Sequence, residues 1–333
     1  KMNTEKKFVH SNTAIITLFA ACFVVLISLG VRQTFGLFFI DFNESLNISN
    51  TAFGFAIGTQ MLMWGLTGPI FGAIADRFGG HVAIISSFLF YTLGVYFLYS
   101  GPNTGIFFQI HLGLLIGIGL GGTAISIPMS IVGKHFPLSN RTIAMSIVTA
   151  VGSFGYFISP IFTNYSLIEY GWNYTLFLFS LFLVTGLIAA YFVRSPKENE
   201  IVENRSDQSF KEALSEAFKS KSYILLVSGF FVCGFHITLV GTHVPKYVID
   251  RGLEDWTAAA ILSLIGLFNI FGSLLSGYLS TKISKKVLLS AIYLLRGFSI
   301  AFFIFAPPSV LSAFIFGASF GFLWLSTVPA TSG

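Results

Sequence analysis

The chain has 333 residues, of which 54% are hydrophobic, 17% aromatic and only 10% charged. A soluble domain carries roughly 25% charged residues and needs a polar exterior, so this composition excludes a soluble enzyme and makes lipid the solvent for most of the chain. The net charge of +5 comes from bases scattered between apolar runs. It lacks the basic patch with interleaved aromatics that marks a nucleic-acid binder, so no nucleic-acid partner is expected.

Residues 1–13 are mostly polar, and the first apolar run is too long for a signal peptide and has no cleavage site, so it is predicted to stay as a membrane helix. About 20 apolar residues cross the hydrocarbon core. Such runs fall at 14–39, 51–73, 81–100, 105–132, 142–165, 173–193, 222–245, 257–280, 287–306 and 309–330, which predicts ten spans. The breaks carry turn chemistry, as at Gly101, Pro102 and Asn103 or at Pro307 and Pro308. Residues 195–221 differ in kind. They gather Lys197, Glu198, Glu200, Glu203, Arg205, Asp207, Lys211, Glu212, Glu216, Lys219 and Lys221, the composition of a solvated linker. Ser209 and Glu212 within it have capping-box spacing. The expected organisation is therefore an N-terminal six-helix transmembrane bundle over 1–194, a linker over 195–221 and a C-terminal bundle over 222–333. Cys22 and Cys233 each lie in an apolar run and read as packing residues.

Lys and Arg alternate in the loops. The side of the N-terminus and the linker receives fifteen, the other side only Lys246 and Arg251, while Arg32 and Arg296 lie inside spans. The positive-inside rule makes the N-terminus and linker cytoplasmic, in a plasma or inner membrane. The halves also echo each other. Gly72 with Arg77 repeats as Gly277 with Lys282, Gly30 with Arg32 as Gly234 with His236, and Ser126 with Pro128 as Thr327 with Pro329. Repeats of this kind build transporters that hold substrate between the halves near the midplane.

The loop after span 2 runs Gly72, Asp76, Arg77, Gly79, Gly80 in the pattern G-x-x-x-D-R-x-G-G. Physically, Gly72 is expected to allow close helix packing, Gly79 and Gly80 to supply positive φ, and Asp76 to cap a helix or pair with a base. This segment resembles the signature loop of the major facilitator superfamily, and the six-linker-six layout resembles it as well. Within that superfamily the chain is most similar to the monocarboxylate-transporter-like branch. Arg141, Ala144 and Ser146, then Gly152, Gly155 and Pro160, and Gly234 through His236 to Thr242, His243 and Pro245 carry that likeness. The resemblance implies the major facilitator fold, an all-α membrane protein working by alternating access. It also implies that Gly72, Asp76, Arg77 and Gly79 form a conformational latch reaching helix 11.

A charge inside a span is costly and should face a partner or a cavity. Spans 1, 4, 7 and 10 line the cavity in that superfamily, so the resemblance implies that Arg32 and His236 face each other across it. Arg offers a two-point fork for a carboxylate and His titrates near neutral pH. Gln33, His111 and Tyr156 are candidate additional substrate contacts, with Trp64, Phe268 and Trp324 as further aromatic candidates. Arg296 is expected to bridge to Asn269 or to backbone carbonyls, as a structural or substrate charge. No Asp or Glu lies inside a span, although Asp41 sits at the edge of span 1. Helix 8 lacks the acid–base pair of the animal monocarboxylate transporters, and helix 4 lacks the arginine of proton antiporters. The five glycines of span 4, Gly113 to Gly122, follow no strand and read as helix-packing residues rather than a dinucleotide motif, so no cofactor is expected.

The expected function is a secondary active transporter for a small monocarboxylate-like organic anion, with the proton as candidate coupling ion and a monomer as working unit. An exporter of hydrophobic metabolites or drugs is the alternative. An intramembrane enzyme would need an H-E-x-x-H or G-x-S-x-G motif, and none occurs. Carried to helices 5 and 6, the repeat calls for partners beyond residue 333. The expectation is thus a C-terminal bundle incomplete at four helices, with an open apolar flank and an Asp76 lacking its cross-half partner.

Overall fold

The structure is a computed structural model that describes residues 12–195 and 218–327. The Ser209–Glu212 capping box and Pro329 lie outside the described residues. Everything ordered into elements is helical: α1 Asn12–Leu46, α2 Asn50–Phe78, α3 Gly80–Ser100, α4 Ile106–His135, a continuous stretch Leu138–Ala190, then α7 Lys221–Asp250, α8 Asp255–Leu279, α9 Lys285–Phe305 and α10 Val310–Leu323. The stretch Leu138–Ala190 turns back at Gly171, whose φ of 79° and ψ of 168° are not helical, and so comprises α5 (138–170) and α6 (171–190). Among the described residues a helix lies at each of the ten predicted positions, although α10 has only 14 residues and ends at Leu323 instead of continuing to 330. The α5–α6 boundary differs from the expected gap at 166–172 because the helix runs on through Glu169 and Tyr170 until glycine supplies the left-handed φ.

Several helices are interrupted. α1 stops at Gln33, passes through one 3-10 turn at Phe35–Phe38 and resumes at Phe39. α4 contains a wide π turn over Gln109–Leu115 and an extended residue at Ala124, after which Ser126–His135 resumes. The wide turn is supported from α2, where Gln60 Nε2 donates to the Leu112 carbonyl at 2.9 Å.

The glycines of α4 do what sequence predicts. A Cβ at Gly117 would come within 2.7 Å of the Gln60 carbonyl on α2, and one at Gly119 within 2.6 Å of the Tyr91 backbone nitrogen on α3. α4 is thereby clamped between two neighbours by backbone contact. α1 packs along α5 and α6, α8 against both α5 and α10, and α9 against α10. The first six helices meet the last four through α5–α8 and through the 3-10 turn of α1 against α7. On α8, α9 and α10 a run of apolar side chains stays exposed, including Phe271, Leu274, Leu294, Phe298 and Leu311. A cavity of about 560 Å³ opens between these three helices, beside Phe268, Phe302 and Phe322.

Candidate functional site

The loop between α2 and α3 keeps part of its predicted chemistry. Gly79 has φ 97° and closes α2, its N–H reaching the Ala75 carbonyl at 3.0 Å. Gly80 is helical instead. Its missing side chain makes room for Ile131 of α4, and its N–H donates to Ser195 Oγ at 2.9 Å. Gly72 does not serve close packing, since a Cβ there would meet nothing within 4 Å. Asp76 forms an ion pair with Lys134 of α4 at 2.9 Å, inside the first six helices. Arg77 is exposed and its guanidinium stands 5.3 Å from the Phe78 ring centre.

The break in α1 sets Arg32 and Gln33 at the end of a helical segment, in the region where both groups of helices meet. Arg32 is only 6% exposed and Gln33 only 1%. Arg32 Nη2 donates to Met61 Sδ at 3.3 Å, and the guanidinium lies 5.9 Å from the Trp64 ring centre, both on α2. No carboxylate pairs with it among the described residues. Arg32 Nε has no hydrogen-bond partner, and neither has Gln33 Nε2 or Oε1.

α7 approaches this corner at Gly241. A methyl built there would lie 3.7 Å from Arg32 Nη1, 3.7 Å from Gln33 Oε1 and 4.0 Å from the ring edge of Trp324 on α10. Trp324 is fully buried, its indole Nε1 is also unpartnered, and its ring stands edge-on to Tyr156 at 6.5 Å. Buried polar atoms are nearly always paired in folded proteins. Arg32, Gln33 and Trp324, each with a side-chain atom near Gly241, each keep at least one buried polar atom without a partner, which marks a place suited to a ligand. A guanidinium fork with neutral donors and an acceptor beside it can hold a carboxylate and a second polar group.

Two expected site residues go elsewhere. The family resemblance implied that His236 faces Arg32, but the α7 residue found beside Arg32 and Gln33 is Gly241. Five residues along a helix turn it by about 140°, which takes His236 to a different face. Its Nδ1 is unpartnered. His111 bonds Asn103 Oδ1 at 3.2 Å and its ring packs near Phe97, so it braces the turn between α3 and α4. Of the two partners expected for Arg296, the structure supplies the backbone carbonyls. Arg296 is fully buried and donates from Nε (2.8 Å) and Nη2 (2.5 Å) to the Leu323 carbonyl, and from Nη2 to the Trp324 carbonyl. It does not bridge to Asn269, which donates instead to Ser153 Oγ of α5 at 2.8 Å. Gly241, Met61 and the role of Trp324 were missed as a group, because nothing in the sequence says which face of α2, α7 or α10 meets Arg32.

At Gly36 the seam between α1 and α7 is tight. A Cβ at Gly36 would come within 2.5 Å of the Gly241 carbonyl. A small cavity of about 210 Å³ opens beside it, lined by Asp41, Asn164, Lys246 and Asp255 among others.

A helical membrane bundle with internally repeated motifs, broken helices, and unpaired polar side chains buried where its two groups of helices meet is the architecture of a membrane transporter. The chain belongs to the Major Facilitator Superfamily, whose model it matches over residues 21–332. It is 24% identical to monocarboxylate transporter 6 of Mus musculus over 311 residues, covering 85% of this chain and 65% of that protein. It is 24% identical to the agnestins efflux protein AgnL12 of Paecilomyces divaricatus, covering 85% of this chain and 64% of that one. The sialic acid transporter NanX of Escherichia coli strain K12 is 23% identical, over 66% of this chain and 53% of that protein. The chain thus spans less than two thirds of the length of these relatives. Among solved structures, the E. coli fucose:proton symporter FucP superposes with a TM-score of 0.66 at 15% identity, covering 96% of this chain and 83% of that one. A D-xylose–proton symporter gives 0.64 at 17%, covering 93% and 80%. These likenesses establish the fold. Members of the family are transporters, so the chain is an integral membrane protein of a transport family and not an enzyme.

Proposed function

We propose that the protein is a secondary active transporter of a small organic anion of the monocarboxylate type, working by alternating access. One observation carries the reading: Arg32 is more than nine-tenths buried with no carboxylate partner among the described residues and an unpaired Nε. A guanidinium without a counter-charge at that depth is expensive unless it faces a ligand or a cavity. The substrate carboxylate sits on the Arg32 fork, with Gln33 and Tyr156 beside it and Trp64 and Trp324 against its apolar body. Residues 1–194 and 222–333 act as two bundles that rock about this site. The linker and N-terminus are cytoplasmic, Asp76 and Arg77 belong to the latch of the cytoplasmic side, and the protein works as a monomer. His236 remains the candidate proton carrier, through its unpaired Nδ1.

The test is uptake of a panel of radiolabelled organic acids into proteoliposomes, with and without a pH gradient. Arg32→Gln abolishes uptake, and Arg32→Lys keeps it at reduced affinity because a point charge replaces a planar fork. Wild-type uptake in both variants refutes the site. Uptake confined to neutral hydrophobic compounds instead favours the exporter of hydrophobic metabolites or drugs.

A further inference from the structure

α10 stops being helical at Leu323, and Trp324, at φ −53° and ψ −70°, begins a break. A broken helix frees backbone groups that must find partners inside the membrane. Here each residue of the break is held by a side chain from another helix. Arg296 of α9 donates to the Leu323 and Trp324 carbonyls. Asn269 of α8 accepts from the Leu325 N–H at 2.9 Å, and Ser276 of α8 donates to the Ser326 carbonyl. Arg296 needs no carboxylate in this position, because the carbonyls at a helix C-terminus carry the negative end of the dipole. Its remaining Nη1 donates to Cys233 Sγ of α7 at 3.1 Å.

The side chain at this break is Trp324, which reaches Gly241 beside Arg32 and Gln33. The duplicated helix in the first half is broken at the matching place. Ala124 is extended just before Ser126 and Pro128, the residues that repeat as Thr327 and Pro329. The preceding Thr123 shares a hydroxyl hydrogen bond of 2.7 Å with Ser28, four residues before Arg32 on α1. The two breaks therefore flank the same polar corner, one from each half.

We propose that the interruption of α10 presents Trp324 to the substrate as a specificity-determining contact, with Arg296 and Asn269 as its positioning residues. This rests on the reading that the substrate sits at Arg32 and Gln33. The indole N–H serves a polar atom of the substrate and its ring closes the pocket opposite Tyr156. Asn269 also ties the break to α5 through Ser153, so the position of Trp324 and the seam between the halves are set by one side chain.

The experiment measures KM and maximal rate for radiolabelled benzoate in proteoliposomes. Trp324→Phe keeps a ring and removes the N–H; Arg296→Gln removes the fork. Each raises KM by about ten-fold, the net size of one hydrogen bond, and leaves the maximal rate within about two-fold. Because Arg296 acts through the tryptophan, the double variant has the KM of Trp324→Phe alone. Asn269→Ala gives the same test should Arg296→Gln fail to reach the membrane. KM effects that multiply in the double variant overturn the proposal, as do positioning variants that reduce only the amount of protein or the maximal rate. Arg32→Gln separates the two readings. If it abolishes uptake while the Trp324 and Arg296 variants keep the wild-type KM, this proposal alone fails; if it transports with the wild-type KM, the substrate site itself fails.

Discussion

Gly241→Ala should give a more stable protein that transports worse. The glycine lies well inside α7, where replacing Gly by Ala is worth about 0.8–1.0 kcal/mol of helix stability. The added methyl meets nothing closer than 3.7 Å, so it enters without displacing Arg32, Gln33 or Trp324. It fills the space between these three side chains, which is the space assigned to substrate. Losing room for one methylene in a fitted pocket costs about 1–3 kcal/mol, or roughly 10–200-fold in KM. Gly241→Val adds two more carbons toward Arg32 and Gln33 and should lose stability by overpacking, about 1–3 kcal/mol. The assay pairs the thermal midpoint of purified protein in detergent with KM for a labelled organic acid. A raised midpoint with unchanged KM for Gly241→Ala would show that this space is not ligand space and would refute the reasoning.

Two further predictions concern the seam and the loop. In Gly36→Ala the new Cβ would lie 2.5 Å from the Gly241 carbonyl, a backbone atom that cannot turn away. The tight seam between α1 and α7 should weaken by about 1–3 kcal/mol. A cysteine at Asn164, which lines the adjoining cavity, should then react several-fold faster with a membrane-impermeant maleimide; native Cys22 and Cys233 are buried and contribute little background. Equal labelling rates in the two backgrounds would count against a seam held by this contact. For Asp76→Asn, the pair with Lys134 is largely exposed, so stability should change by less than about 1 kcal/mol. Transport should nevertheless slow while membrane insertion stays normal, and Lys134→Gln should reproduce the effect; transport at the wild-type rate with normal insertion removes the latch role.

How far the sequence reaches is clear from particular residues. The ten spans were readable because a helix in lipid must satisfy its own backbone and be apolar for about 20 residues, and both requirements are written locally. The glycines of α4 were readable as packing residues for the same reason: five small side chains on one span have no other use in lipid. Arg32 stood out because charge at membrane depth is rare.

Partners were not readable, because they depend on which faces of distant helices meet. Sequence offered Asn269 or backbone carbonyls to Arg296, and only packing chose the carbonyls, by ending α10 at Leu323 beside α9. It matched His236 to Arg32 by repeat register, and the turn of α7 brought Gly241 there instead. It gave Gly72 a packing role for which the structure has no neighbour, and left Lys134 unassigned although it holds Asp76. Composition and periodicity thus determined that this chain lies in a membrane and where its described helices fall. The tertiary structure alone decided which polar atoms find partners and which are left open at Arg32, Gln33 and Trp324, since satisfying a hydrogen bond depends on distances across the bundle and not on order along the chain.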